Sequence, residues 1–318
     1  MTDLIEVLKC EVCDGGLMAP VMDLGPQPLP DDLVKVGDDR QCETFSTEVL
    51  WCKKCCTAQQ HYVIPKRQLF PPEYHYRGAN TKDVLEGFEG LAKSVDRYVD
   101  VNKLKVLDVG CNDGSLLDAF YRRGALTYGM EPTDAYKEVK LGHRVMNAYL
   151  DPETAIRFVF KHGNPDIITF VNVFAHIEDF PALIASLKLL SGPSTIIVIE
   201  NHYMGSVLER NQFDTFYHEH IRTYSFTSLE TIAERLGMHI AACEFPSRYG
   251  GNIRVIMAPG RRDTKWESCF RWGRVGRNSE RKYGRNGVWK PSIRHDLRDQ
   301  PAGKLRAECD EPLWLHWF

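Results

Sequence analysis

The stretch from 213 to 220 (FDTFYHEH) gathers side chains that could carry acid–base chemistry. Tyr217, His218, Glu219 and His220 bring a phenol, a carboxylate and two imidazoles into four consecutive positions. A histidine titrates near neutral pH and acts as a general base when a neighbour orients it, and Glu219 beside His220 supplies such a neighbour. A phenol such as Tyr217 can donate to a developing oxyanion. We predict that this stretch carries chemistry; a structural role for the histidines and a metal site on them are the alternatives.

A second group of residues has the pattern of a cofactor-binding turn. The apolar run at 104–109 predicts a buried strand, and the following GCNDG leads from Gly110 into a helix predicted from Ser115 to Gly124. A strand, a glycine turn and a helix start form the usual entry to a nucleotide-type site. The spacing lacks the third glycine of G-x-G-x-x-G, which favours a cofactor without phosphates, such as S-adenosylmethionine, over NAD.

An acidic residue on the next predicted strand supports this interpretation. Glu131 ends the strand predicted at Leu126–Met130 and stands 21 residues after Gly110, where a carboxylate grips a ribose diol. The alternative is that Gly110 is a packing glycine and Glu131 a solvated loop acid. The residues predicted to bind the cofactor are Asp108, Gly110, Asn112, Asp113, Gly114, Glu131 and Asn172.

Two C-x-x-C pairs near the start of the chain have the spacing of zinc ligands. Cys10 with Cys13 and Cys52 with Cys55 could each occupy two corners of a tetrahedral site. The turn-forming DLGPQPLPDDL between the pairs could bridge them. Because four thiolates leave no open position for water, the predicted zinc is structural. The alternative is four reduced thiols without a metal.

The elements that must position these residues follow from the pattern after residue 104. Strand and helix patterns alternate there, which indicates a doubly wound α/β sheet. The apolar run at 166–174 (DIITFVNVF) predicts a fourth strand with Asn172 and His176 at its carboxyl end, and Thr195–Ile199 predicts a fifth. Ligands bind outside the carboxyl ends of such strands.

The last predicted elements complete the sheet. Thr227 and Glu230 form a predicted capping box at the start of a helix. The runs at His239–Cys243 and Asn252–Met257 bring the count to seven strands, the number in a complete methyltransferase-type sheet.

Composition narrows the class of protein. The formal net charge of -3 gives no basic field for nucleic acid, and no run of 18 apolar residues predicts a membrane span. The N-terminus lacks the pattern of a signal peptide, and the cysteines are grouped as metal ligands, so we expect a cytoplasmic monomer. The predicted parts are a zinc module (1–75), a methyltransferase domain (76–260) and a poorly ordered tail rich in Trp and Arg (261–318), for which a nucleic-acid-binding role is the alternative.

Several motifs in order resemble a known family. The four cysteines, the linking DLGPQPLP, the tyrosines of EYHYRG, DVGCNDGSLL, GMEPTD, NVFAHIEDF, YHEH and YGGNIRV are similar to those of zinc-containing sugar C-methyltransferases. These enzymes act on nucleotide-linked deoxyketosugars in antibiotic biosynthesis. The resemblance covers about residues 8–258.

The resemblance implies a reaction and a role for each site residue. A proton leaves the carbon next to a 4-keto group, and the resulting enolate attacks the methyl group of S-adenosylmethionine. His220 would be the base, Glu219 would orient or tune it, and either Tyr217 or His176 would stabilise the enolate oxygen. Tyr76, or in its place Tyr74, would reach the sugar from the N-terminal module.

The sequence also departs from the family. Family members usually carry a further α/β domain after the double-glycine strand, which we do not expect in this chain, and Tyr249 and Asn252 stand where the family more often has His and Ser. Two alternatives follow: a methyltransferase acting on another small molecule or on nucleic acid, and a protein that binds the cofactor without turnover. The motif NVFAH is not the N-P-P-[FY] that clasps an amino group on a base, which disfavours nucleic acid.

Overall fold

The structure is a computed structural model that describes residues 4–140 and 142–260, so the predicted tail lies outside the described residues. The N-terminal part is mostly antiparallel strands, followed by a short and then a long helix. Its elements are β1 (Ile5–Glu6), β2 (Ala19–Pro28), β3 (Thr44–Cys52), β4 (Thr57–Gln60), β5 (Tyr62–Val63), α1 (Lys66–Leu69) and α2 (Lys82–Tyr98).

The remainder alternates strands and helices, as predicted. The strands are β6 (Lys105–Val109), β7 (Leu126–Met130), β8 (Arg144–Met146), β9 (Ile167–Val171), β10 (Ile196–His202), β11 (Arg222–Thr223), β12 (Met238–Glu244) and β13 (Asn252–Pro259). The helices are α3 (Ser115–Tyr121), α4 (Pro152–His162), α5 (Phe180–Leu190), α6 (Met204–Arg210) and α7 (Phe226–Arg235).

Seven of these strands form one sheet in the order β12-β13-β10-β9-β6-β7-β8. β13 is antiparallel to both neighbours, and the other pairs are parallel. The chain fills one side of β6 with β7 and β8 and then crosses to β9 on the other side. The strand order therefore reverses between β6 and β9, and ligands bind at the carboxyl ends of strands at such a point.

Helices cover both faces of the sheet, which explains the continuous apolar runs of its central strands. One core cluster contains buried side chains of α4, α5 and α7, such as Phe158, Leu187 and Leu229. The other contains buried side chains of α2 and α3, such as Val95 and Phe120. The predicted doubly wound fold with seven strands is confirmed.

Two local predictions are wrong. α7 begins at Phe226 because the hydroxyl of Ser225 accepts from the backbone N–H of Ser228, so the capping box lies two residues before the predicted one. The fourth strand ends at Val171 because Asn172 adopts a left-handed φ of 53°, which turns the chain out of the ladder.

The predicted division at residue 75 stays a prediction, and the two parts share contacts. β11 pairs with β4 and so belongs to the four-stranded sheet of the N-terminal part. The side chain of Arg222 is fully buried and donates to the Glu11 carboxylate and to the carbonyl oxygens of Ile177, at 2.6 Å, and Glu178, at 3.0 Å. One guanidinium therefore joins the Cys10–Cys13 segment to the loop after His176.

We expect Arg222→Met to lower the free energy of unfolding by on the order of 3 kcal/mol, because a carboxylate and two carbonyl groups lose their donor. Urea denaturation monitored by fluorescence measures the change. Arg122→Met is the control, because Arg122 is about half exposed and its pair with Glu89 lies at the surface. Equal loss in both variants would contradict the interpretation of Arg222 as a buried link.

Candidate functional site

A cavity of about 510 Å³ lies at the carboxyl ends of β6, β7, β9 and β10. It brings the predicted cofactor residues and the predicted acid–base residues together in one space. The lining includes Asp108, Gly110, Asn112, Glu131 and Asn172 on the cofactor side, and Tyr76, His176, Tyr217, Glu219 and His220 on the other. Asp113 and Gly114 are not part of this lining.

The glycine turn needs its glycines for two reasons. Gly110 has a φ of 72°, which side-chain-bearing residues rarely adopt, and a Cβ there would lie 2.7 Å from a methyl group of Val173. Gly114 has a φ of 82° at the residue before α3. The turn therefore keeps its backbone bare on the cavity side, as close approach of a ligand requires.

Glu131 is held at the edge of the turn by backbone and hydroxyl donors. Its carboxylate accepts from the N–H of Asn112 at 2.9 Å, and from the N–H and hydroxyl of Thr133 at 2.8 and 2.6 Å. A carboxylate offers about four acceptor sites, so three donors leave one for a ligand hydroxyl. This donor set fixes the carboxylate and fits the predicted contact with a ribose diol.

Asp108 and Asn172 line the floor of the cavity at neighbouring strand ends. Asp108 accepts from the Thr169 hydroxyl at 2.6 Å, and its burial raises the pKa of its carboxyl to about 7. The Asn172 amide oxygen accepts from the side-chain N–H of Asn252 at 3.4 Å.

Asn112 and Asp113 contact protein groups that the sequence did not reveal. Asn112 accepts from the N–H of Gly78 and donates to the carbonyl oxygen of Tyr76, both at 3.0 Å, while Asp113 accepts from the N–H of Ala79 at 2.7 Å. These contacts fasten the segment 76–79 over the glycine turn. That these two side chains bind the cofactor directly stays a prediction. Their contacts in the structure hold Tyr76 at the cavity.

The tautomer of His220 follows from its partners. Its Nδ1 lies 2.8 Å from the carbonyl oxygen of Thr215, which can only accept, so Nδ1 carries the proton. Its Nε2 is then the acceptor, and the hydroxyl of Tyr217 donates to it at 3.0 Å. The expectation that Glu219 orients His220 does not agree with these contacts, because the carbonyl of Thr215 does so.

Burial keeps the imidazoles of the cavity neutral. It lowers the pKa of His220 well below its ordinary value, and the neighbouring His176 and His202 lower it further, their ring centres lying 5.1 and 5.0 Å away. It also lowers the pKa of His176 to about 4. The electron pair on Nε2 of a neutral His220 accepts from the Tyr217 hydroxyl in the structure and can accept a proton once that hydroxyl turns away.

His176 has an unused polar atom. Its ring stacks on that of Phe70 at 5.4 Å, and within the described part of the chain its buried Nε2 has no hydrogen-bond partner. A buried polar atom without a partner costs free energy, which a hydrogen bond from a ligand would offset.

Glu219 pairs with a tyrosine. It accepts from the Tyr74 hydroxyl at 3.2 Å, and burial raises the pKa of its carboxyl to about 7. Tyr76 lines the cavity and is about half exposed.

The structure separates the two histidines of YHEH and adds a third that sequence reasoning missed. The Nε2 of His218 points away to the carbonyl oxygen of Phe45 at 3.1 Å and the hydroxyl of Thr47 at 3.2 Å, which is a structural role. His202, at the end of β10, lines the cavity and contacts His220. The position of His202 just after a predicted central strand was the feature of the sequence that could have identified it as a cavity residue.

The four cysteines of the two C-x-x-C pairs converge. Their sulfur atoms all lie within 4.8 Å of one another, with 3.4 Å between Cys10 and Cys55 and 3.6 Å between Cys13 and Cys52. Tetrahedral zinc with Zn–S bonds of about 2.3 Å requires sulfur separations near 3.8 Å. Among the described residues this is the one such group of metal-ligating side chains, so a zinc site on the histidines is not supported. The cluster fits a structural zinc with no open position.

Comparison with known families agrees with this geometry. Residues 84–242 match the family described as "Methyltransferase domain", and residues 10–70 match the one described as "Putative zinc binding domain". The first match spans half of the chain, so the chain belongs to the methyltransferase-domain family. Its cavity and its cysteine cluster accordingly fit S-adenosylmethionine and zinc.

One relative shows which kind of methyltransferase the chain is similar to. The chain is 27% identical over 268 residues to C-methyltransferase NovU of Streptomyces niveus, a match that covers 83% of this chain and 64% of that protein. It thus spans less than two thirds of the length of this relative. The predicted resemblance to C-methyltransferases with an N-terminal zinc module is confirmed.

Other matches cover less of the chain. A ubiquinone biosynthesis O-methyltransferase of Saccharophagus degradans is 33% identical over 32% of this chain and 45% of its own length. A solved structure of a methyltransferase dependent on S-adenosylmethionine from Archaeoglobus fulgidus is 18% identical, with a TM-score of 0.45, over 55% of this chain and 94% of its own.

Among the described residues, none of the helices has the length and apolar content needed to cross a lipid bilayer.

We expect the purified protein to carry one zinc ion per chain, measured by atomic emission, and Cys52→Ser to lose it together with thermal stability, because three thiolates bind zinc more weakly than four. Cys42→Ser is the control, since Cys42 is half-buried and lies outside the cluster. A folded, metal-free wild-type protein, or equal metal loss in the control, would contradict the assignment.

Proposed function

We propose that the chain is a C-methyltransferase that transfers a methyl group from S-adenosylmethionine to the carbon next to the ketone of a nucleotide-activated deoxyketosugar. The observation that carries the proposal is the position of His220, whose Nε2 accepts from the Tyr217 hydroxyl in the cavity that also holds the glycine turn. The similarity to C-methyltransferase NovU supports carbon as the methyl acceptor. We also propose that the protein acts as a monomer, without a nucleic-acid partner.

The glycine turn at Gly110, which has no side chain there, and the carboxylate of Glu131 would hold the cofactor. S-adenosylmethionine supplies an electrophilic methyl group there. The chain's own residues supply no group that is consumed in the reaction, so their task is to position the ketone and to remove one proton.

Proton removal is assigned to His220. The bond between hydrogen and the α-carbon breaks, the proton goes to Nε2, and the electron pair moves to the carbonyl oxygen to form an enolate. The carbonyl oxygen of Thr215 holds the Nδ1–H and so stabilises the imidazolium that results. Burial lowers the pKa of His220, so the ring is neutral at pH 7; the same burial weakens it as a base, and the Thr215 carbonyl offsets part of that cost when the imidazolium forms.

The enolate oxygen needs donors, and two residues offer them. The Tyr217 hydroxyl, which donates to Nε2 in the structure, can turn to the oxygen when Nε2 takes up the proton. The partnerless Nε2 of His176 can donate to the same oxygen as its neutral tautomer. Tyr76, fastened at the cavity through Asn112, would contact the sugar.

The runner-up is a protein that binds the cofactor without turnover, and the observation that favours it is the burial of His220, which lowers its pKa well below the ordinary value and so weakens it as a base. It predicts cofactor binding with no methyl transfer to any ketosugar nucleotide. Measuring cofactor binding and methyl transfer in the same samples distinguishes the two candidate functions.

We expect His220→Ala to reduce methyl transfer by about 10²- to 10⁴-fold, and Tyr217→Phe by about 10²- to 10³-fold, because one loses the base and the other an oxyanion donor. Both should bind S-adenosylhomocysteine within about 2-fold of wild type in calorimetry, since the glycine turn and Glu131 are unchanged.

Tyr121→Phe is the matched control, because Tyr121 is about half exposed and lies outside the cavity lining. Loss of cofactor affinity in the His220 and Tyr217 variants would show that these residues are structural. Absence of turnover in the wild type, with binding intact, would favour the runner-up.

A further inference from the structure

Arg248 lies in the loop between β12 and β13 and lines the cavity. Its side chain is only 9% exposed, and within the described residues its Nε and Nη1 atoms have no hydrogen-bond partner. Buried guanidinium donors without hydrogen-bond partners are costly, and an anionic ligand could satisfy them.

The acidic groups near Arg248 are already used or lie at the surface. Glu200 is fully buried and accepts from Nε and Nη2 of Arg254 at 2.7 and 2.6 Å, whereas Nη1 of Arg248 stays 3.7 Å from it. Glu244 pairs with Arg254 and Arg97. Asp83, at 3.8 Å, is 66% exposed, which weakens its pairing with Arg248.

The neighbouring helix leaves room for the guanidinium. A Cβ at Gly87 of α2 would lie 1.9 Å from Nη1 of Arg248, so a larger residue there would displace it. The ring of Phe88 lies 5.8 Å and that of Tyr249 5.0 Å from the guanidinium carbon. Nη2 donates to the Tyr249 hydroxyl at 3.3 Å, a neutral partner that a charged group can replace.

Arg248 also stands at a defined distance from the ribose end of the cavity. It neighbours Glu200 of β10, and Glu131 follows β7, with β9 and β6 between them in the sheet. Three strand spacings separate these two ends by about 14 Å. Glu131 and Arg248 both line the cavity between these strand ends, so a cofactor held at its ribose by Glu131 could extend its amino-acid part toward Arg248.

We propose that Arg248 binds an anionic group of a ligand in this cavity. The methionine carboxylate of S-adenosylmethionine and a phosphate of the nucleotide-linked acceptor are its two sources, and both match the planar donor fork of arginine. The inference rests on the proposed function, because it takes the cavity to be the site of that cofactor and acceptor.

The test is calorimetric titration of wild type, Arg248→Met, Arg248→Lys and Arg97→Met with three probes. S-adenosylhomocysteine carries the carboxylate, 5′-methylthioadenosine lacks the whole amino-acid part, and thymidine diphosphate carries phosphates only. Arg97 is the matched control, because it is 55% exposed and outside the cavity lining. Thermal unfolding checks that each variant is folded.

We expect Arg248→Met to lower the affinity for S-adenosylhomocysteine by about 10- to 100-fold and to leave the affinity for 5′-methylthioadenosine within about 2-fold of wild type. Arg248→Lys should recover part of the lost affinity. A selective loss of thymidine diphosphate affinity would instead identify the acceptor's phosphate as the anion and would also support the proposal.

Unchanged affinity for both anionic probes in Arg248→Met would overturn it, as would an equal loss of all three probes or an equal effect in Arg97→Met. Failure of the proposed function is distinguishable: a wild type that binds the probes in this pattern but transfers no methyl group would overturn the proposed function alone, and one that binds neither adenosine probe would overturn both.

Discussion

Arg222 lies two residues after His220 and has no contact with solvent, so the protein must surround its charge with acceptors. It does so with groups from separate parts of the chain: the carboxylate of Glu11, between two cysteines of the zinc cluster, and the carbonyl oxygens just after His176. Arg235 adds donors to the carbonyl oxygens of Glu11 and Val12, at 2.6 and 2.8 Å. The cysteine-bearing segment, the segment that follows His176 and the segment that follows His220 are thereby fixed to each other. The four-cysteine cluster therefore influences the geometry of the cavity, although none of its cysteines lines that cavity.

A second constraint acts inside the cavity, where burial disfavours the charged forms of ionisable groups. The same desolvation lowers the pKa of His220 and His176 and raises that of Glu219 to about 7. The two imidazoles are therefore neutral at pH 7, around the place where a substrate would develop charge, whereas the Glu219 carboxyl titrates near that pH. Preorganised neutral groups in a site of low dielectric respond strongly to such a charge, because they do not have to be desolvated during the reaction.

Local patterns in the sequence predicted much of this molecule. The turn at Gly110, the Glu131 carboxylate and the four cysteines depend on short spacings that the chain displays directly, and they occupy the predicted places. The doubly wound sheet was predicted from the alternation of strand and helix patterns.

Contacts between distant residues could not be predicted in that way. Thr215 rather than Glu219 orients His220, because the loop folds back through a carbonyl group that has no side-chain signature. The clamp of Asn112 on Tyr76 joins residues 36 positions apart, and the link from Arg222 to Glu11 joins residues 211 positions apart. Side-chain types predicted that these residues could do chemistry, and only packing determines which partner each one meets.

If His220 removes a proton from the carbon next to a ketone, the hydrogen on that carbon should exchange with solvent without methyl transfer. A thymidine-diphosphate-linked 4-keto-6-deoxysugar would be incubated in D₂O with the protein and S-adenosylhomocysteine, and deuterium at the α-carbon followed by NMR. We expect exchange well above background with the wild type and background exchange with His220→Ala. Background exchange with the wild type while the cofactor product is bound, or equal exchange in the two proteins, would contradict it.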